Sequence, residues 1–310
     1  MFTDVNKAIN TIYQININVN AESPLTDSNR WQFYLDKLKK QVSVLVRQET
    51  SFNSVTAKNV ADSTLNTLDL LLPLDQIWST LETTERYSAG QHFLEIVETI
   101  SVMMNIHVHF SIPEGYMYPP TNRDNYFFYT FAFNYSENLN KRIGEVQINL
   151  PFKALILPNN TVNFQAATIV KLTNLRHYMT PLVNDLGTSG DGVYPSVITV
   201  KVGIFEESLP IESGYKFEII VWEKDSLFGN RQCTFMVPPT SYTGSWWSVQ
   251  KCNVSLPTSD YPQVCECDHL SGIGFGVFDD SYPFPDDGNV LSNFSFIYQQ
   301  INVFRCYICN

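Results

Sequence analysis

"CECDHLSGIGFGVF", Cys265 to Phe278, sets two cysteines, a histidine and a serine within seven residues and follows them with glycines that alternate with apolar side chains. Cys265 and Cys267 stand two apart, so on a strand they project to the same face. They are poorly placed to bridge each other, but each can bridge a neighbouring strand. Cys233 and Cys252 are the natural partners, which leaves two pairings open. Each bridge would contribute roughly 3–4 kcal/mol in the chain-entropy account. A four-thiolate zinc site is the competing reading. It fits poorly, because Cys-x-Cys lacks knuckle spacing and Cys233 and Cys252 are far apart. Beyond Ser271, a strand would carry Gly272, Gly274 and Gly276 on one face and Ile273, Phe275 and Val277 on the other, ending at Phe278.

Outward from this stretch, the chain changes character near residue 105. Before it the period is helical. Trp31, Tyr34, Leu35, Leu38, Val42 and Leu45 recur at steps of three and four, with Ser23-Pro-Leu or Asp27-Ser-Asn as the upstream cap. Further helices are expected over about 57–72, 75–81 and 88–104. After residue 105 the period is two. "IHVHF", "NYFFYTFAFNY", "EVQINL", "NFQAATIVKL", "SVITVKVGIF" and "YKFEIIVWE" read as strands separated by Pro, Gly and Asn-rich turns. No helical crossovers intervene, so the sheet is expected to be an antiparallel sandwich. The fold class is therefore α+β, a helical part leading into a β-sandwich.

At 310 residues, with 44% hydrophobic and 16% charged side chains, the chain has the composition of a folded globular protein. A net charge of −11 argues against nucleic acid or an anionic membrane surface as partner. Apolar runs such as "LDLLLPL" and "ALIL" are far too short to span a bilayer. No basic and then apolar leader follows Met1. The clustered cysteines nevertheless point outside the cell, because cytosolic chains seldom group thiols without metal or redox chemistry. Sequons at Asn134, Asn159, Asn253 and Asn293 agree with export. The expectation is an excised piece or mature form of a longer extracellular protein.

His269 and Ser271 also share a face if the chain is extended, and the Ser271 hydroxyl lies one peptide bond beyond the Leu270 carbonyl. Attack there closes a five-membered ring without any diffusional step. Placement of this kind can be worth roughly 7–11 kcal/mol. A serine hydroxyl needs a base, and His269 is the local one. Amide resonance opposes the attack, so the fold must strain the Leu270–Ser271 peptide. The product is an ester that water can open.

"CTFMV" at Cys233, "WWSVQKC" ending at Cys252, and "CECDHLS" together resemble the GPCR proteolysis site of adhesion receptors. Cys233, Phe235, Trp247, Ser248, Cys252, Cys265, Cys267, His269, Leu270 and Ser271 fill that pattern in order. The resemblance implies an autoproteolysis-inducing (GAIN) domain. Residues 1–20 would be an N-terminal extension and 21–105 the helical subdomain A. The β-sandwich subdomain B would cover 106–278, with the proteolysis site at 233–278, and a tail would occupy 279–310.

It further implies the pairings Cys233–Cys265 and Cys252–Cys267. His269 would be the base, Ser271 the nucleophile and Leu270 the acyl donor, in a single-turnover cut in cis with no cofactor and no metal. Gly272, Ile273, Gly274, Phe275, Gly276, Val277 and Phe278 would form the tethered strand of a C-terminal fragment held non-covalently. The cut would serve adhesion or mechanosensitive signalling at a cell surface, with a membrane-anchored or neighbouring extracellular segment and protein ligands as partners. The alternative is an uncleaved adhesion or structural module. The glycine-rich strand leans toward polycystin-like and egg-jelly-receptor relatives. Cys306 and Cys309 have no counterpart in the motif; a local disulfide is one assignment, a link to a neighbouring segment another.

Elsewhere, His107-Val-His109 would put two imidazoles on one strand face, though no third ligand is in sight and a structural role is preferred. The acidic stretches "GTSGDG" and "FPDDGN" lack calcium-loop spacing and read as solvated turns. Glu206-Glu207 and Asp279-Asp280 form no catalytic carboxylate pair.

Overall fold

Helices build the first layer. The structure is a computed structural model. It describes residues 2–46, 54–111, 121–122, 126–134, 138–143, 146–151, 164–172, 182–183, 189–203, 214–222, 230–236, 247–248, 252–255, 263–268 and 273–278. All of them belong to one compact unit, Met1–Phe278. The helices are α1 (Phe2–Glu22), α2 (Ser28–Val46), α3 (Ser54–Leu71), α4 (Asp75–Thr80) and α5 (Thr83–Ser111).

Asp27 is the cap that starts α2: its carboxylate accepts from the Asn29 and Arg30 backbone N–H groups at 2.9 and 3.4 Å. The stripe read from Trp31 is buried along its length. Leu71 and Leu72, at the end of α3 before Pro73, have C=O groups with no partner in their own helix. The indole N–H groups of Trp31 and Trp78 donate to them, each at 2.9 Å. Trp31 and Trp78 meet edge to face at 5.0 Å, with Phe93 beside both. One aromatic cluster thus seals a helix end and fills the helical core.

Two findings differ from the sequence expectation. The first twenty residues, read as an extension, lie in α1, whose Val5, Ala8, Ile12, Ile15 and Val19 are buried at steps of three and four. The period was present, but Asn and β-branched residues are weak helix formers, so packing decides there. Likewise α5 continues through "IHVHF" to Ser111, past the boundary read near 105. His107 and His109 therefore fall on a helix, where residues two apart are not neighbours, and not on a strand. The two-histidine strand fragment is thereby corrected. Alternating apolar residues over so short a run fit either period, and docking of α5 on a sheet chose the helix.

The strands are β1 (Thr121–Asn122), β2 (Tyr126–Asn134), β3 (Leu139–Ile143), β4 (Val146–Leu150), β5 (Phe164–Leu172), β6 (Leu182–Val183), β7 (Ser189–Val202), β8 (Phe217–Val221), β9 (Asn230–Met236), β10 (Trp247–Ser248), β11 (Cys252–Ser255), β12 (Gln263–Cys267) and β13 (Ile273–Phe278). The first sheet runs β1-β2-β5-β7-β13-β9-β10, with β6 also on β7. The second runs β11-β12-β8-β4-β3, and every pair described is antiparallel. The expected α+β class, helices followed by antiparallel strands, is what the chain adopts.

Alternation along the central strands gives three layers. Tyr129, Phe131, Ala167, Ile169, Ile198, Val200 and Val202 face the second sheet and pack with Val146, Ile148, Phe217, Ile219 and the cysteines. Phe128, Val170, Leu172 and Val197, on the opposite face, join the helical core. The first sheet is therefore buried on both sides, which accounts for its near-continuous apolar strands.

A polar seam fixes α5 on that sheet. The Asn105 amide donates to the Lys201 and Gly203 carbonyls at 3.1 and 2.8 Å, and its oxygen accepts from the Thr168 hydroxyl at 2.8 Å. Thr168 meets the Thr130 hydroxyl at 2.8 Å, and Thr199 donates to Glu98 at 3.1 Å. Gly203 turns the chain after β7 with φ of 81°, a conformation that favours glycine. Asn105→Leu should cost about 2–4 kcal/mol, because it removes three hydrogen bonds from a buried seam. Urea unfolding would show this as a lower midpoint at unchanged slope. A midpoint equal to wild type would mean the seam contributes nothing.

His92 and His107 both titrate below the ordinary histidine range. For His92 the main cause is burial, then repulsion from Lys39, with Asp36 at 3.0 Å and Glu95 opposing. For His107 it is burial, then Lys58. Lowered values mean the unfolded chain takes up protons first. Stability is intact above about pH 6.5 and falls as pH drops below it. Melting curves at pH 7.5 and 5.5 should show this, and the double substitution His92→Gln with His107→Gln should flatten the difference.

Candidate functional site

The four motif cysteines converge where the two sheets meet. Cys233 lies on β9 in the first sheet and Cys265 on β12 in the second, and a disulfide joins them with Cα atoms 5.6 Å apart. Cys252 on β11 and Cys267 on β12 are register partners in one sheet, joined by a second disulfide at a Cα separation of 4.2 Å. Of the two pairings the spacing left open, this is also the one the family resemblance implies. All four cysteines are buried in the core between the sheets. Cys265 and Cys267 also pair with Ile219 and Phe217 of β8, so both bridges sit in apolar packing. Among the described residues, no group of three His, Cys, Asp or Glu could hold a metal ion.

The Gly-rich stretch becomes β13, a central strand. It pairs with β9 from Ile273↔Phe235 to Phe278↔Asn230, and with β7 on its other side from Ile273↔Ile198 to Phe278↔Gly190. Phe275 is the register partner of Cys233. On the β7 side Val277 stands opposite Gly192, Phe278 opposite Gly190 and Gly276 opposite Val193, while Phe275 faces Tyr194 and Ile273 faces Ile198, with register shifts between Ile273 and Phe275 and between Val277 and Phe278. Ser189 to Gly192, part of the stretch read as a solvated turn, are strand residues, which corrects that reading. Only the pairing reveals their role; the nearest sequence signal was the Gly-x-Gly spacing itself. Phe235 and Trp247-Ser248, also in the motif, lie beside this strand on β9 and β10.

The remaining positions can be placed as follows. His269, Leu270, Ser271 and Gly272 lie outside the described residues, as do Asn159, Asn293, Cys306, Cys309, Glu206, Glu207, Asp279 and Asp280. Asn134 is the last residue of β2, and Asn253 is exposed on β11. The two sides of the His-Leu-Ser segment are fixed, however. Asp268 follows the end of β12 in the second sheet, and Ile273 opens β13 in the first, with four residues between them. Sheets stack about 10 Å apart, so a short connection has to cross between two anchored strands. The crossing is closed by one disulfide and one strand pairing. From Cys265 the disulfide leads to Cys233, whose register partner is Phe275, on the far side of the same segment.

No family model matches the sequence, and no curated protein shows significant similarity to it. Solved structures do match. One is the full extracellular region of zebrafish Gpr126/Adgrg6, at a TM-score of 0.50 and 14% identity, over 86% of this chain and 34% of that chain. The likeness establishes a GAIN-like fold, and this chain spans about a third of the length of that extracellular region.

Proposed function

We propose that this domain is an extracellular one that cuts its own backbone between Leu270 and Ser271 and keeps both pieces in the fold. The observation that carries the reading is the closed crossing: four residues between two anchored strands, cinched by the Cys233–Cys265 bridge and the Cys233–Phe275 pairing. A peptide bond inside such a closure is where the fold can oppose amide resonance. His269 takes the Ser271 hydroxyl proton while Oγ attacks the Leu270 carbonyl carbon. The five-membered intermediate collapses with loss of the C–N bond, the nitrogen regains a proton, and the Leu270 acyl group is left as an ester on Ser271. Water then frees the Leu270 carboxylate and restores the hydroxyl.

Two buried disulfides support the secretory placement. The partner of the N-terminal piece is the C-terminal piece, and a joint of this kind suits adhesion or force-sensitive signalling at a cell surface. The test is the mass of the chain secreted from eukaryotic cells and then denatured and reduced. It should include a piece of residues 271–310, 40 in all. Recovery of the intact chain alone makes the uncleaved structural module the better account.

In native buffer the pieces should co-elute on gel filtration and part only with denaturant. β13 is paired from Ile273 to Phe278 with β9 and, across two register shifts, with β7, so release has to break two ladders together. Spontaneous separation in native buffer would contradict this retention.

A further inference from the structure

We propose that Asn253 carries an N-linked glycan that caps the open edge of the second sheet. The inference rests on the secretory placement above, not on the cut. An end strand offers unpaired N–H and C=O groups to other chains and needs protection. Among the described residues the other sheet ends are protected. The first sheet ends in β1 and β10, each two residues long. At the far end of the second sheet, β3 carries Lys141 and Arg142, with Lys141 over the Tyr129 and Phe131 rings and Arg142 stacked on Trp222 at 4.6 Å.

Among the described residues β11 has no such device. It is four residues, Cys252-Asn-Val-Ser, with no charge, and it ends its sheet. Cys252 turns inward to its disulfide, so the next residue, Asn253, projects to the outer face, where it is exposed opposite Glu266. Asn253-Val-Ser255 is a sequon, and it is the one whose acceptor the described residues place in solvent.

The transfer forms a bond from Asn253 Nδ2 to the sugar C1. It breaks the C1–oxygen bond of a polyprenyl-pyrophosphate-linked oligosaccharide, and the amide proton passes to a base of the transferring enzyme. The resulting branched, hydrated group lies at the sheet end and excludes a second strand from it.

The experiment uses the wild-type chain secreted from eukaryotic cells. Enzymatic release of the glycan in heavy-oxygen water should convert Asn253 to labelled Asp in most of its peptide. Asn253→Gln and Ser255→Ala, and wild type deglycosylated after folding, should each show at least several-fold more dimer and higher oligomer by light scattering. An unmodified Asn253 peptide overturns the site. An occupied Asn253 whose loss leaves the chain as monomeric as wild type overturns the cap. Occupancy is read whether or not the chain is cut, so a bare Asn253 in a cut chain sinks this proposal alone, and a glycosylated uncut chain sinks only the cut.

Discussion

A chain carrying Ser271→Ala is expected to remain one intact species under full denaturation, where wild type is expected to separate into two. In the proposed cut the Ser271 Oγ is the attacking atom, and the substitution removes it. Intramolecular positioning, roughly 7–11 kcal/mol of the barrier, disappears with it. His269→Ala leaves the hydroxyl in place without its base and should slow the cut by about 10²–10⁴. Both variants should melt as wild type does, since neither substitution touches the two disulfides or the pairings of β12 and β13. Cleavage that persists at the same bond in Ser271→Ala would point to a contaminating protease and end the self-cleavage reading.

Breaking the Cys233–Cys265 bridge should be almost as damaging, by a different route. Cys233→Ala with Cys265→Ala removes a cross-link over a sequence separation of 32 that ties the first sheet to the second, a loss of about 3–4 kcal/mol. More telling is the expected loss of cleavage with His269, Leu270 and Ser271 all unchanged, because the crossing would no longer be cinched. The other bridge supplies the control. Cys252 and Cys267 join strands already paired in one sheet, over a separation of 15. Removing that pair should cost about 3 kcal/mol but leave substantial cleavage below the melting temperature. Equal loss of cleavage in the two double variants would show that the disulfides act through stability alone, and the closure argument would fail.

Local pattern was legible where one face of an element is buried and the other is wet. Trp31 through Leu45 announced α2 because its polar side faces solvent, and Asp27 announced its start through carboxylate acceptance of two N–H groups. The strands of the second sheet, with Val146, Ile148 and Leu150 inward and polar residues between, alternated as a half-wet sheet must. The pattern was ambiguous where burial is double. "IHVHF" reads as a strand by alternation, yet it belongs to α5 because Asn105 just before it bonds to the Lys201 and Gly203 carbonyls.

The sequence by itself determined the class of the fold, the clustering of the four cysteines and the juxtaposition of His269, Leu270 and Ser271, since each is a matter of period or of neighbours along the chain. Tertiary structure alone decided which cysteine meets which, and that β13 enters the middle of a sheet between β7 and β9 rather than its edge. It also decided that Gly190 and Gly192 lie opposite Phe278 and Val277. These are contacts between residues 15 to 88 apart in the chain. No local propensity encodes them: closing such loops costs entropy that only the assembled core repays, so the partner is chosen by the packing of both sheets at once.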